Sequence, residues 1–440
     1  MELFDIEKII KMEHAKFKLY DFQQAALTAT ASLNRCAYYL DMGLGKTFVG
    51  AEKAMSFGRD IVVICQKSKI DDWREHFADY YEVNVVDLTK SGRKQAFKTV
   101  EGAITVFVIN YELSWRRAEY FDGKRGYTLL LDESSCIQNE TAKRTRYICR
   151  SMRPDNVILL SGTPCNGKYE NLWTQCNLLG WRIAKEIFWN RYIRWIETEK
   201  NGYPVRIVIG YRNVDELKSM LRQHGAVFMK TDEVFSLPEQ IISDIRTDAT
   251  RDYRTFIRDR IVTINGNSLV GSTPLTALLY ARQIASAYNP NKFSALADMI
   301  DSTADRLIVF YNFDNELAAL KKLCADAGRK VSEVNGHRKD LTAYETESES
   351  VTLVQYQAGA MGLNLQLANK IVFFSPPLSC ELYLQAFKRI HRIGQNRTCF
   401  YYRIIAENTV EENIYKTLEK REDYTLELFK EVNDDGKNLE

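Results

Sequence analysis

Short, unbroken apolar runs rich in β-branched residues recur along this 440-residue chain, each closed by small or charged residues and followed by a helical pattern. The first set is Ile61–Ile64, Ile104–Ile109, Leu129–Leu131 and Val157–Leu160; the second is Leu307–Phe310, Val351–Val354 and Ile371–Phe374. A strand with one face in water alternates apolar and polar residues. These runs do not alternate, so they predict strands buried on both faces of a parallel sheet. Alternation with helices makes the fold class α/β, and two separated sets predict two parallel-sheet lobes.

The stretch between the sets reads differently. It carries Trp173, Trp181, Trp189 and Trp195 interleaved with Lys185, Arg191, Arg194, Arg206, Arg212, Lys218, Arg222 and Lys230, with helical spacing around Val214–Leu221. The expected organisation is therefore a first lobe over residues 1–172, helical insertions and a linker over 173–304, a second lobe over 305–406, and a helix with a polar tail over 407–440. The tryptophans read equally well as part of a nucleic-acid track or as the core of the insertion.

At 45% hydrophobic residues the chain can bury more than one core. A net charge of +2 excludes a basic coat over the whole surface, so any nucleic acid would meet basic residues gathered on one face. The nine cysteines are scattered without a Cys-x-x-Cys pair, which excludes a zinc ribbon and speaks against a disulfide framework. No run reaches the ~20 apolar residues of a membrane helix, and Met1–Asp5 is charged where a signal peptide is apolar. The expected location is the cytoplasm of a bacterium or of a virus-infected cell, or a nucleus.

Three elements of the first lobe carry chemistry. Gly43, Gly45, Lys46 and Thr47 follow the apolar stretch Ala37–Leu40 and precede a helical pattern. Glycines let backbone N–H groups approach a phosphate, a helix N-terminus adds its dipole, and Lys46 adds charge. The Thr47 hydroxyl would sit on Mg²⁺. Leu40 departs from the usual pattern, in which Gly or Ala opens such a loop. Asp132 and Glu133 close an apolar strand, where Asp132 would hold Mg²⁺ mostly through water and Glu133 would orient or deprotonate the attacking water. Ser161 and Thr163, in Ser161-Gly162-Thr163-Pro164, close the next strand and could relay from that site to a second surface.

In this order the three elements resemble helicase superfamily two, and their spelling looks like its Swi/Snf-type branch of double-stranded DNA translocases. Leu40-Asp41-Met42-Gly43-Leu44-Gly45-Lys46-Thr47 is similar to that family's first motif, and Leu19-Tyr20-Asp21-Phe22-Gln23 to its adenine-reading segment, with Gln23 in the amide position. Asp132 to Asn139 resembles the family's Asp-Glu box, although Ser134 and Ser135 replace its usual Gly/Ala-His and put the coupling role of that His in doubt. Gln385-Ala386-Phe387-Lys388-Arg389-Ile390-His391-Arg392-Ile393-Gly394-Gln395 is nearly the last motif, which implies that Arg389 and Arg392 are arginine fingers. Ala358 to Leu365 resembles the fifth motif and implies that Gly359, Gly362 and Asn364 touch DNA backbone or nucleotide, with Gln355-Tyr356 in place of its usual Ser-Thr. Thr409–Ile414 is similar to a helix that braces the lobes.

The resemblance covers about Lys18 to Lys420 and implies two RecA-like lobes with ATP and Mg²⁺ as cofactors. The implied partner is double-stranded DNA, linear or branched, with Ser161, Thr163, Gly359, Asn364 and Gln385 in DNA binding or coupling. Three alternatives stay open: a strand-separating or fork-remodelling helicase, an RNA helicase, and a nucleotide-dependent DNA-binding protein without motor activity. The chain reads as close to a bare motor core.

Overall fold

The computed structural model describes residues 17–90, 102–200, 202–359 and 363–429. Its contacts divide the chain into two compact units, one built on residues up to Val234 and one on Phe235–Asp423.

The first unit is a wholly parallel seven-stranded sheet. Its strands are β1 (Arg35–Leu40), β2 (Asp60–Cys65), β3 (Asn84–Asp87), β4 (Thr105–Asn110), β5 (Tyr127–Asp132), β6 (Asn156–Leu160) and, after the hairpin β7 (Ile193–Lys200) and β8 (Tyr203–Tyr211), β9 (Ala226–Met229). The strand order is β3-β4-β2-β5-β6-β1-β9. Tyr39, Val62, Ile64, Phe107, Leu129, Leu131 and Leu159 point into one apolar core, while their neighbours Tyr38, Val63, Val108, Leu130 and Ile158 are just as buried on the other face. Burial on both faces explains why these runs do not alternate. Helices α1 (Asp21–Ala29), α2 (Lys46–Met55), α3 (Ile70–Tyr80), α4 (Trp173–Leu178) and α5 (Lys185–Tyr192) belong to this unit.

The second unit repeats the plan. Strands β10 (Gln240–Thr247), β13 (Leu307–Tyr311), β14 (Val331–Val334), β15 (Lys339–Asp340), β16 (Val351–Gln355), β17 (Lys370–Phe373) and β18 (Cys399–Ala406) form a sheet in the order β10-β18-β17-β13-β16-β14-β15. Only β15 runs antiparallel. A separate hairpin pairs β11 (Ile261–Ile264) with β12 (Asn267–Val270). Along β13, Ile308 and Phe310 enter one core and Leu307, Val309 and Tyr311 the other, the period-two signature of a sheet covered on both sides. Helices α6 (Pro274–Ala285), α7 (Pro290–Asp301), α8 (Asp314–Asp326), α9 (Cys380–Phe387) and α10 (Val410–Phe429) complete the description used below. Lys292 of α7 and Glu411 of α10 form a fully buried ion pair, with both carboxylate oxygens within 2.8 Å of the amine.

The two α/β lobes and the terminal helix are thus present as expected. The stretch 173–304 differs from its helical expectation, because it supplies an outer strand to each sheet, β9 and β10, together with the two hairpins. Outer strands are short or half-buried and lack the dense apolar run that marks a central strand, so periodicity does not find them. Among the described residues, no helix is long and apolar enough to cross a membrane, and the nine cysteines are unbridged.

Candidate functional site

In the first unit the loop after β1 leads directly into α2. Gly45 is the N-cap of α2 with φ +70°, and no side chain caps the helix. Its N-terminal N–H groups are therefore presented without a competing side-chain acceptor, the arrangement that receives an anion. The left-handed φ favours glycine at Gly45, and a methyl group there would lie 2.5 Å from Gln23 Nε2 and so displace that amide. Lys46 Nζ donates to the carbonyls of Leu40 (3.0 Å) and Asp41 (3.4 Å). A Cβ on Gly162 would stand 3.2 Å from that amine, which places Lys46 over the turn after β6. Leu40, the departure noted above, is fully buried at the end of β1, so the residue is accommodated as core.

Gln23 is buried in α1, and both ends of its amide are engaged. Nε2 donates to the Leu44 carbonyl at 3.0 Å and Oε1 accepts from Tyr20 N at 3.0 Å. The amide expected to read a base is thus bonded to the loop expected to hold the phosphates. Asp41 ties the other side of the loop, accepting from Met42 N (2.8 Å) and from the Thr231 hydroxyl (2.9 Å) just past β9.

Asp132 ends β5, next in the sheet to β6, which is next to β1. Trp73 Nε1 donates to Asp132 Oδ2 at 2.8 Å. Burial raises the pKa of this carboxyl above its ordinary value, opposed by the Trp73 hydrogen bond and by the charges of Lys69 and Lys46. Glu133 has φ +51°, a left-handed conformation costly for a residue with a Cβ. The Tyr111 hydroxyl donates to the carbonyls of Asp132 (2.8 Å) and Glu133 (3.3 Å) and helps hold that turn. Ser161 Oγ donates to Glu133 Oε2 at 3.3 Å and accepts from Thr163 N at 3.1 Å, so the structure brings Glu133, Ser161 and Thr163 together. The donors suit a phosphate and a hard, largely hydrated cation: an uncapped helix start, an amine, a Thr47 hydroxyl and one carboxylate.

In the second unit, α9 ends at Phe387 and the following residues form turns. Lys388, Arg389 and Arg392 therefore lie beyond the helix and do not share a helical face. The Gln395 amide donates to the carbonyls of Gln366, Ala368 and Ile390, which draws the chain out of the helix and into these turns. Arg389 Nη1 (3.4 Å) and Arg392 Nη1 (3.2 Å) converge on the Leu363 carbonyl. Both guanidiniums are half-buried, and burial lowers the pKa of Arg392. Asn364, beside that carbonyl, is exposed; Gly359 ends the one-turn helix Tyr356–Gly359; Gly362 lies outside the described residues. Gln385 is buried in α9, with Nε2 3.4 Å from Glu381 and with Oε1 lacking a partner.

The middle tryptophans pack as core, and several of the basic residues among them are paired with carboxylates. Trp181 joins the core of the first unit, with Trp173, Trp189 and Trp195 packed against it. Lys185 pairs with Glu140, Arg191 with Glu216, and Arg206 with Glu186 and Glu197. Trp73, Tyr111 and Thr231 fall in segments, Lys67–Glu75, Asn110–Glu112 and Met229–Val234, that resemble motifs of the same family, but the sequence gives none of them a role of its own; Gln175, a fully buried amide in α4, was passed over. Gln175 sits in the half-polar helix Trp173–Leu178, where nothing local marks it as buried.

Residues 26–281 match the SNF2-related domain, and residues 291–394 match the helicase conserved C-terminal domain. The chain is 24% identical to the ISWI chromatin-remodeling complex ATPase ISW2 of Saccharomyces cerevisiae, across 90% of this chain and 40% of that protein. It is 23% identical to an uncharacterized ATP-dependent helicase of Mycoplasma pneumoniae, across 96% of this chain and 44% of that one. It thus spans well under half the length of these curated relatives. Among solved structures it is similar to the Sulfolobus solfataricus SWI2/SNF2 ATPase core in complex with dsDNA, at 17% identity and a TM-score of 0.47, covering 95% of this chain and 94% of that one.

Proposed function

The chain belongs to the SNF2-related domain family, and from that premise we propose that it is an ATP-hydrolysing motor that translocates on double-stranded DNA and remodels DNA or protein–DNA complexes. The observation that carries the reading is the joint placement of two features in one sheet: an uncapped helix start at Gly45–Lys46 and the carboxylate pair Asp132–Glu133.

In this reading Gln23 meets the adenine, and the N–H groups around Gly43 and Gly45 meet the phosphates. Lys46 exchanges its two carbonyl acceptors for phosphate oxygens. Mg²⁺, held by Thr47 and Asp132, supplies positive charge to the phosphate oxygens when bound. Glu133 accepts a proton from the attacking water, and Arg389 and Arg392 stabilise charge developing on the transferred phosphoryl group. Gly362 serves the nucleotide. Ser161, Thr163, Gly359, Asn364 and Gln385 contact DNA or couple it to hydrolysis. Binding through phosphates makes affinity fall with salt and depend little on sequence. The protein acts where its DNA lies, in a bacterial or virus-infected cytoplasm or in a nucleus.

The test measures ATP hydrolysis with linear duplex, single strand, four-way junction and RNA, together with displacement of a triplex-forming strand from duplex. Duplex-stimulated hydrolysis with triplex displacement, both abolished by Lys46→Ala, is the expected result. Stimulation by RNA alone would replace the DNA reading, and preference for the junction would indicate fork remodelling. Hydrolysis without triplex displacement would remove translocation while leaving the ATPase.

A further inference from the structure

A wholly buried amide in α4 joins the two loops proposed to do the chemistry. Gln175 has no solvent exposure, yet three polar groups meet it. Its Oε1 accepts from the Ser134 hydroxyl at 2.7 Å and from the Tyr39 hydroxyl at 2.9 Å, and its Nε2 donates to the Pro164 carbonyl at 2.7 Å. Two hydroxyl donors on one side and a carbonyl on the other leave a single orientation for the amide. Ser134 immediately follows Glu133, and Pro164 closes the Ser161–Pro164 turn. Tyr39 lies in β1, the strand that delivers the phosphate loop.

This amide stands on a strained foundation. Glu133 holds a left-handed conformation that persists only where its surroundings over-determine it. Ser134, buried and locked to Gln175, fixes the residue directly after it. On the far side Gln175 grips the turn whose Ser161 hydroxyl reaches the Glu133 carboxylate. A buried amide with this many partners is costly to break, because each orphaned group stays away from water.

We infer that Gln175 is a positioning residue, a latch through which Ser134 and Pro164 hold the Glu133 loop and the Ser161–Thr163 turn in one register. The catalytic consequence rests on the proposed ATPase reading; the mechanical linkage does not.

Two measurements on the full chain test it. The first is amide hydrogen exchange of wild type, Gln175→Met, Ser134→Ala and Ser134→Thr. Ser134→Ala should raise exchange at residues 162–165, across the latch from the substitution, by about tenfold, an opening well below global unfolding; Ser134→Thr, which keeps the hydroxyl, should not. A rise confined to residues beside each substitution, or spread evenly over the unit, overturns the latch. The second is ATPase kinetics. Gln175→Met should lower kcat by about tenfold or more with KM for ATP within about twofold, the pattern of a misplaced group rather than a lost binding contact. Loss that merely tracks the folded fraction also overturns the positioning role. A wild type that hydrolyses no ATP would instead remove the functional reading, leaving the exchange result to decide the latch.

Discussion

Trp73 Nε1 donates a 2.8 Å hydrogen bond to Asp132 Oδ2, so an indole on α3 orients the carboxylate proposed to hold the metal. That bond favours the ionised carboxylate, while burial favours the protonated one. Trp73→Phe removes the donor and keeps the packing against Phe77. The carboxyl then ionises less readily, so the acid limb of the kcat–pH profile should move to higher pH. A charged hydrogen bond of about 1.5 kcal/mol corresponds to a displacement of about one pH unit, so kcat should fall about tenfold on the acid limb and little on the plateau. An unmoved acid limb would deny the bond a part in setting Asp132.

His76 gives a stability prediction. It is buried among Phe17, Phe48, Trp73 and Tyr80, and burial pulls its pKa down from 6.5 to about 4. The folded chain therefore keeps this imidazole neutral where the unfolded chain protonates it. Stability is complete above pH 6.5 and is lost as pH falls toward 4, by about 3 kcal/mol from this residue. Urea unfolding of wild type and His76→Phe at several pH values should show a smaller acid loss in the variant. Parallel curves would refute the assignment.

Gly45→Ala should strike both conformation and space. An alanine at φ +70° costs about 1–2 kcal/mol, and its methyl group would collide with Gln23 Nε2. The melting temperature should fall by a few degrees, and the further rise produced by ATP with Mg²⁺ should vanish. A preserved ATP-dependent rise would show that the loop does not receive phosphate.

The Lys292–Glu411 pair is buried on both sides. Removing one partner strands a charge, so Lys292→Met or Glu411→Leu alone should destabilise by about 3–5 kcal/mol. Replacing both, Lys292→Met with Glu411→Leu, should recover most of that loss in a denaturant double-mutant cycle. Additive losses would mean that the two side chains are not energetically coupled.

The proposed site was legible wherever its chemistry is contiguous. Gly43–Thr47 shows as glycines and a lysine between a strand and a helix, and Asp132–Glu133 as the charged end of an apolar run. The bonds of Trp73 and Gln175 were not legible, because each meets its partner across about 40 to 60 residues. The middle tryptophans and basic residues left two readings open, since a cationic side chain does not reveal whether a carboxylate faces it. Arg206 is paired on both sides of its guanidinium.

By itself, then, the sequence determined two parallel-sheet lobes, the glycine-rich loop ahead of a helix and the carboxylate pair at a strand end, because apolar runs and strand-end motifs are local patterns. The tertiary structure alone decided that Gln23 bonds to the Gly43–Thr47 loop, that β9 and β10 complete the sheets, that Arg389 and Arg392 converge on one carbonyl, and that Gln175 joins the Glu133 and Ser161 loops. Hydrogen bonds depend on where the packed chain brings donors and acceptors together, and no spacing along the sequence encodes that.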